Sequence, residues 1–346
     1  MRDWENNIRR VVPYTPGEQP KNTCVIKLNT NENPYPPAPG VKEVLSNFNT
    51  DDLRLYPDPR VDKLVNAIAD FYKIDSSKVF VGVGSDDVLA MIFMTFFNSK
   101  KPILFPDITY SFYDVWADML RIPYEQLPLS DDFSIVPSDY YKANGGVVFP
   151  NPNAPTGKLM PLDEIEDIIE HNQDVIVVVD EAYVDFGGES ALPLIDKYDN
   201  VIVVQTFSKS RSLAGSRVGF AMASPVLIKY LNDVKYSFNS YTMNQTTIAA
   251  GAAAIRDVEY FRKTVKKVME TREWSKEELK KLGFFFRRFE IELYFRNAQK
   301  RTGREDFFRH SGNAIFMCGI LRNPALTIIC VLRLARGKKC RRCLIF

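Results

Sequence analysis

The chain is predicted to be an α/β protein built on a mostly parallel sheet. From Val79 onward, short β-branched runs alternate with longer helical segments, the pattern of strand–helix–strand units. Runs such as "DVIVVVDE" (174–181) and "NVIVVQTF" (200–207) are apolar without polar alternation, which marks strands buried on both faces. A third observation is that several of these runs end in chemically unusual residues, as open parallel sheets do where they bind ligands.

Six strands are expected, at 78–84, 101–106, 145–150, 174–181, 200–207 and 216–223. Between them, "DDVLAMIFMTFFNS" and "PLDEIEDIIEH" are expected helices. The second opens on Pro161 and acidic residues, which suit a helix N-terminus. The first 60 residues are rich in Pro and Asn with aromatics interleaved, so they are expected to lie as an arm and loops over the main domain. Beyond about Gln245 a long helical stretch leads toward a smaller lobe. The expected division is an N-terminal arm with part of a small domain (1–45), a large domain (46–250) and a small C-terminal domain (251–346).

At 346 residues and 45% hydrophobic side chains, the chain is long enough for two lobes. Its 45 basic and 43 acidic residues leave a net charge of +2, no electrostatic footprint for nucleic acid or an anionic membrane. The start "MRDWENNIRRVVPY" has no apolar signal core, and a cytoplasmic location is expected. Five cysteines, Cys24, Cys318, Cys330, Cys340 and Cys343, form no disulfide framework, and with two histidines no metal site is expected. Cys340 and Cys343 make a lone C-x-x-C without a second pair.

Four strand ends carry the candidate chemistry. The run 175–179 leads into "DEAY", giving a carboxylate, Asp180, and a phenol, Tyr183. The run 201–205 leads through Thr206 into "FSKSRSLAGSR", with Ser208, Lys209 and Arg217. After 79–83, Gly84, Ser85 and Asp86 open a helix whose first N–H groups can hold a phosphate. The fourth is "NPNAPTG" (151–157), following the strand at 147–149. Each alone has a plainer reading: an Asp that caps a helix, a solvated Lys, a common glycine turn. Their order and spacing together resemble the fold-type I pyridoxal-phosphate aminotransferases, from about Val11 to about Gly283.

That resemblance implies a large domain with a mostly parallel, mixed seven-stranded sheet between helices, plus a smaller α/β domain. It implies pyridoxal 5′-phosphate as cofactor, with Lys209 forming a Schiff base to its aldehyde and then acting as the base between Cα and C4′. Such a lysine needs a depressed pKa, which Arg217 and partial burial can supply. Asp180 would keep the pyridine nitrogen protonated, Tyr183 would bond O3′, and Tyr110 in "FPDITYSFY" would stack on the ring. Gly84, Ser85, the Asp86 N–H, Thr206, Ser208 and Arg217 would form the phosphate site. Family members generally place Asn directly before Pro-Thr-Gly; here that position is Ala154, and Asn153 is the expected substitute.

Within this group "VVPYTPGEQP", "IKLNTNENPYPP", "LRLYPDP" and "TFSKSRSLAGSRVGF" are similar to the histidinol-phosphate aminotransferases. What this implies is amino transfer between L-histidinol phosphate and 2-oxoglutarate in L-histidine biosynthesis, by a homodimer with shared sites. Tyr56 would reach across to the partner's cofactor phosphate, and Tyr14 and Asn33 would lie beside the substrate. Aromatic aminotransferases and threonine-phosphate decarboxylases share the cofactor shell and remain alternatives, as does an inactive chain.

The inactive alternative arises from the tail. After Gly283 nothing matches the family's N-F-[IV]-F-A, Y-V-R-Y-F and P-R-x-x-x-Y-L-R-I segments, whose arginines hold acidic substrate groups. Codons shifted by one nucleotide over 289–300, and by two over 311–321 and 323–336, can spell all three in order; Met317 followed by Cys318 then permits only Val. The reading frame is therefore expected to slip near 285 and again near 308, and Arg333 is not assigned to substrate. The apolar run from Leu326 to Leu334 is too short to span a bilayer.

Overall fold

The computed structural model describes residues 2–17, 26–27, 30–281, 316–317, 319–323 and 326–331. The frame-slip regions near 285 and 308, Arg333 and the C-x-x-C at 340–343 lie outside the described residues. Of the tail, Gly319–Asn323 pairs antiparallel with Leu326–Val331, and Phe316–Met317 pairs parallel with Ile26–Lys27.

A seven-stranded sheet organises the described chain. Its strands are β1 (Val79–Gly82), β2 (Ile103–Pro106), β3 (Tyr124–Leu127), β4 (Gly146–Pro150), β5 (Val177–Asp180), β6 (Val201–Thr206) and β7 (Gly219–Ala223). Their spatial order is β1-β7-β6-β5-β4-β2-β3. All neighbouring pairs are parallel except those of β7, which runs antiparallel to both β1 and β6. The chain can turn back from β6 to β7 without a crossover helix because antiparallel strands tolerate a short connection. That connection, closed by the Phe207 N–H bonded to Val218 O at 2.9 Å, carries Lys209.

The apolar runs are buried as their composition requires. Val201 and Val203 face one side of the sheet with α2 (Asp62–Tyr72), α5 (Leu162–Glu170) and α7 (Gln245–Arg256). Ile202 and Val204 face the other side with α3 (Ser85–Phe96), α4 (Tyr113–Leu120) and α6 (Pro225–Phe238). The period of two along each strand therefore feeds two cores, and each fully buried Val or Ile contributes about 1.5–3 kcal/mol.

The sixth predicted run shortens to β7, and β3 was not legible at all. Its sequence, Tyr-Glu-Gln-Leu, is half polar because this edge of the sheet leaves Glu125 and Gln126 exposed, whereas β1 at the other edge is covered. The first 60 residues include α1 (Pro39–Ser46), packed on α7. The long helical stretch divides at Asp257, whose carboxylate accepts the Tyr260 N–H at 3.0 Å and starts α8 (Val258–Lys281). Among the described residues no helix is long and apolar enough to cross a membrane.

Candidate active site

The carboxyl ends of β1, β2, β4, β5 and β6 converge at one edge of the sheet, and the predicted residues follow them. Asp180 ends β5 and is 4% exposed. Its Oδ2 accepts the Tyr113 phenol at 2.9 Å and its Oδ1 the Ala182 N–H at 3.2 Å. Burial pushes the carboxyl up to about 6; the bonds from Tyr113 and Ala182 and the charge of Lys209 act against that rise.

Lys209 lies across from it. Its Nζ sits 5.2 Å from the centre of the Tyr183 ring and donates to the Thr30 carbonyl at 3.3 Å. The Tyr183 hydroxyl accepts the Asn31 amide at 3.0 Å. Asn31 adopts φ 50°, a left-handed conformation that Asn tolerates better than most residues. The arm thus touches both the lysine and the phenol.

Two glycines make the anion cradle. Gly84 has φ +89°, and a Cβ there would meet Arg217 Nη2 at 2.5 Å. A Cβ on Gly219 would lie 2.2 Å from Gly84 C and Ser85 N. Only bare backbone lets β7 pass under the start of α3. No side chain caps α3, so the N–H groups of Ser85 and Asp86 open toward an anion. Arg217 Nη1 points to Ser208 Oγ at 3.4 Å, and Thr206 Oγ1 lies 3.0 Å from the same oxygen. A helix N-terminus, two hydroxyls and a guanidinium packed directly on Gly84 are the donor set that suits a phosphate monoester. The Asp86 side chain, in addition to its N–H, bridges Tyr110 at 2.7 Å and Arg217 Nη2 at 2.9 Å.

The remaining expected residues are placed less directly. Tyr110 is held well above its ordinary pKa by burial and then by Asp86. Tyr14 stacks on Phe112, centroids 4.2 Å apart, and its phenol is likewise raised by burial and by Asp86, so the arm brings it to this side of the site. Asn153 is buried with its amide given to Ile108 O at 2.9 Å and Thr156 Oγ1 at 3.0 Å, while its oxygen accepts from Thr109. It shapes the 151–157 turn from within. Asn33 donates to the carbonyls of Lys209 and Ser210 at 3.0 and 3.2 Å, holding the lysine turn. Tyr56 lies apart, 81% exposed and 4.7 Å from the Tyr241 ring.

Sequence reasoning missed Tyr113 and Asn31. Tyr113 lay within "FPDITYSFY", three residues past Tyr110; the turn closed by the Tyr113 N–H on Tyr110 O at 3.3 Å starts α4 and sets the two rings 5.8 Å apart.

The aminotransferase class I and II family model matches residues 23–295, and this is the class that the fold and the strand-end constellation define. A histidinol-phosphate aminotransferase from Lactococcus lactis subsp. cremoris is 53% identical over 281 residues, 81% of this chain and 79% of that protein. The chain therefore belongs to the histidinol-phosphate aminotransferase family. Among solved structures, a putative histidinol-phosphate aminotransferase from Erwinia carotovora atroseptica has TM-score 0.82 at 22% identity, covering 92% of this chain and 94% of its own. One from Sinorhizobium meliloti, in complex with pyridoxal-5′-phosphate, has TM-score 0.79 at 20% identity, covering 92% and 88%. These two likenesses bear on the fold.

Proposed function

We propose that the chain transfers the amino group between L-histidinol phosphate and 2-oxoglutarate, giving imidazole-acetol phosphate and L-glutamate, as a cytoplasmic step of L-histidine biosynthesis. The observation that carries this is the convergence of Lys209, Tyr183 and Asp180 beside a glycine-lined anion cradle. The 53% identity to a histidinol-phosphate aminotransferase favours this substrate over those of aromatic aminotransferases and phosphothreonine decarboxylases.

Pyridoxal 5′-phosphate, when bound, supplies an aldehyde carbon for covalent capture of the amine and a protonated ring that withdraws the electron pair from Cα. The chain's own residues do the rest. Lys209 Nζ would take the proton from the substrate Cα and move it toward the cofactor aldehyde carbon. Asp180, oriented by Tyr113 and Ala182, would accept the ring N–H. Tyr183, itself held by Asn31, would bond O3′. Tyr110 would stack on the ring. Gly84, Ser85, the Asp86 N–H, Thr206, Ser208 and Arg217 would hold the phosphate. Asn153 would stand in for the family's Asn toward O3′, with its amide and oxygen given to Ile108, Thr156 and Thr109 in this structure. Tyr14 flanks the substrate, and Asn33 serves that side by setting the lysine turn.

A homodimer fits the exposed apolar side chains Leu53, Leu55, Tyr56, Phe238 and Tyr241, and in it Tyr56 would reach a second copy's cofactor phosphate. The division at 45 and 250 is proposed as read from the sequence, with both bounds falling inside helices, α1 and α7. The tail beyond 285 departs from the family's pattern, so the chain as written is expected to be unstable or inactive and a frame-restored chain active.

The test incubates both chains with pyridoxal phosphate, histidinol phosphate and 2-oxoglutarate and measures glutamate. The frame-restored chain should form it, and Lys209→Ala should abolish both the visible absorbance of the bound cofactor and turnover. A chain that binds the cofactor yet leaves histidinol phosphate untouched overturns the substrate assignment. Full activity of the literal chain overturns the reading of its tail.

A further inference from the structure

Helix α8 lines no part of the cradle or the Lys209–Asp180 gap, yet three segments that build them are each tied to it. The turn carrying Lys209 continues to Arg211, which is 5% exposed, with neither Nη atom hydrogen-bonded among the described residues. Its guanidinium carbon lies 4.0 Å from the centre of the Phe261 ring on α8 and 4.5 Å from that of Phe71 on α2. Ring faces hold this cation, at a desolvation cost that an apolar side chain of the same size avoids.

The turn after Asp180 runs through Tyr183 to Phe186, whose carbonyl accepts Arg272 Nη1 at 2.7 Å. Arg272 belongs to α8 and is also 5% exposed. The arm, which bonds Lys209 and Tyr183 through Thr30 and Asn31, is fixed to α8 where Tyr260 donates to Pro36 O at 2.8 Å and Lys267 Nζ lies 5.4 Å from the Tyr35 ring centre. Phe261 and Arg272 are three helical turns apart and share a face, separated along the axis by about 16 Å.

We propose that α8 is a rigid spacer that sets Lys209 against Tyr183, with Arg211 and Arg272 as the two positioning residues at its contact points. The roles given to Lys209 and Tyr183 rest on the proposed function; the mechanical link itself does not. Loosening either contact lets the turn that it holds shift. The other turn follows, because both are registered to one helix; Ser210 Oγ, which donates to the Asp185 carboxylate, is a second and direct link between them.

The test is hydrogen exchange on the frame-restored chain without cofactor, for Arg211→Met, Arg272→Gln and the double variant, each also in a Ser210→Ala background that removes the direct bond between the two turns. The probes are the amides of Phe207, Ser212 and Leu213 in one turn and of Val184, Phe186 and Gly188 in the other, all internally bonded. Each single variant should speed exchange about tenfold in both turns, the one that it does not touch included, and the double variant should add little. Each should also weaken pyridoxal-phosphate binding about tenfold, and Arg211→Lys and Arg272→Lys should recover part of both effects. Arg211→Met should keep the wild-type Tm, so that the faster exchange reports the two turns and not global unfolding. Exchange confined to each variant's own turn with an additive double variant, or a fall in Tm that accounts for the faster exchange, overturns the proposal. Exchange is read without cofactor, so that failure leaves the proposed function standing; a frame-restored chain without substitutions that binds no pyridoxal phosphate overturns the function instead.

Discussion

Tyr113 is the side chain at the site whose contribution is least apparent from its type. Its phenol is fully buried and bonds the Asp180 carboxylate, favouring the charged form against a burial that raises the pKa to about 6. Tyr113→Phe removes that bond, so the Asp180 pKa should climb further. The acid limb of the pH–rate profile should move to higher pH by about one unit, with the circular-dichroism spectrum unchanged. The neighbouring Glu181 faces away from Lys209 and is held by Ser190, the Ala191 N–H and Gln205, with burial raising it to about 7. Lys209 and Tyr183 could be placed from the sequence because each follows a strand end by three residues, and Asp180 because it ends a strand; Arg217, two residues before β7, was placed by its spacing from Lys209. Asn31 was not, since an arm of irregular structure has no periodicity from which to place a side chain.

At the scale of elements, the cradle depends on how closely β7 passes α3. Gly219→Ala would put its Cβ into the backbone of Gly84 and Ser85. It should cost more than about 2 kcal/mol in urea unfolding and weaken cofactor binding as well. Gly84→Ala meets a side chain, Arg217, and a positive φ. Its stability cost should be about 1–3 kcal/mol, with a loss of pyridoxal-phosphate affinity measured by absorbance titration beside it. Strand identity was legible for the buried runs because hydrophobic content alone reports burial on both faces. The edge strand β3 escaped because its four residues carry no such signal, and the antiparallel sense of β7 was decided by the 207–218 connection folding back on itself.

At the scale of the whole molecule, two buried carboxylates make stability without cofactor pH-dependent. Asp180 and Glu181 both have folded pKa values above those of the unfolded chain, so the folded state binds more protons. Their contribution is fullest at low pH and is lost as pH rises from about 4 to about 7. A cationic ring nitrogen beside Asp180 reverses that group's part. The rise in Tm on adding pyridoxal phosphate should therefore be larger at pH 7.5 than at pH 5.5; an equal rise at both values would remove Asp180 from the ring-nitrogen role.

The sequence by itself determined the alternation of strands and helices, the two-sided burial of the central strands and the four chemical groups at strand ends. These depend on local periodicity and on positions a few residues beyond a strand. Only the tertiary structure decided the pairings that join distant segments: Tyr113 on Asp180, Asn31 on Tyr183, Gly219 under Gly84, and Arg211 and Arg272 at α8. Chain segments up to about 150 residues apart meet there because the sheet order is fixed by packing both faces at once, and no local pattern encodes that order.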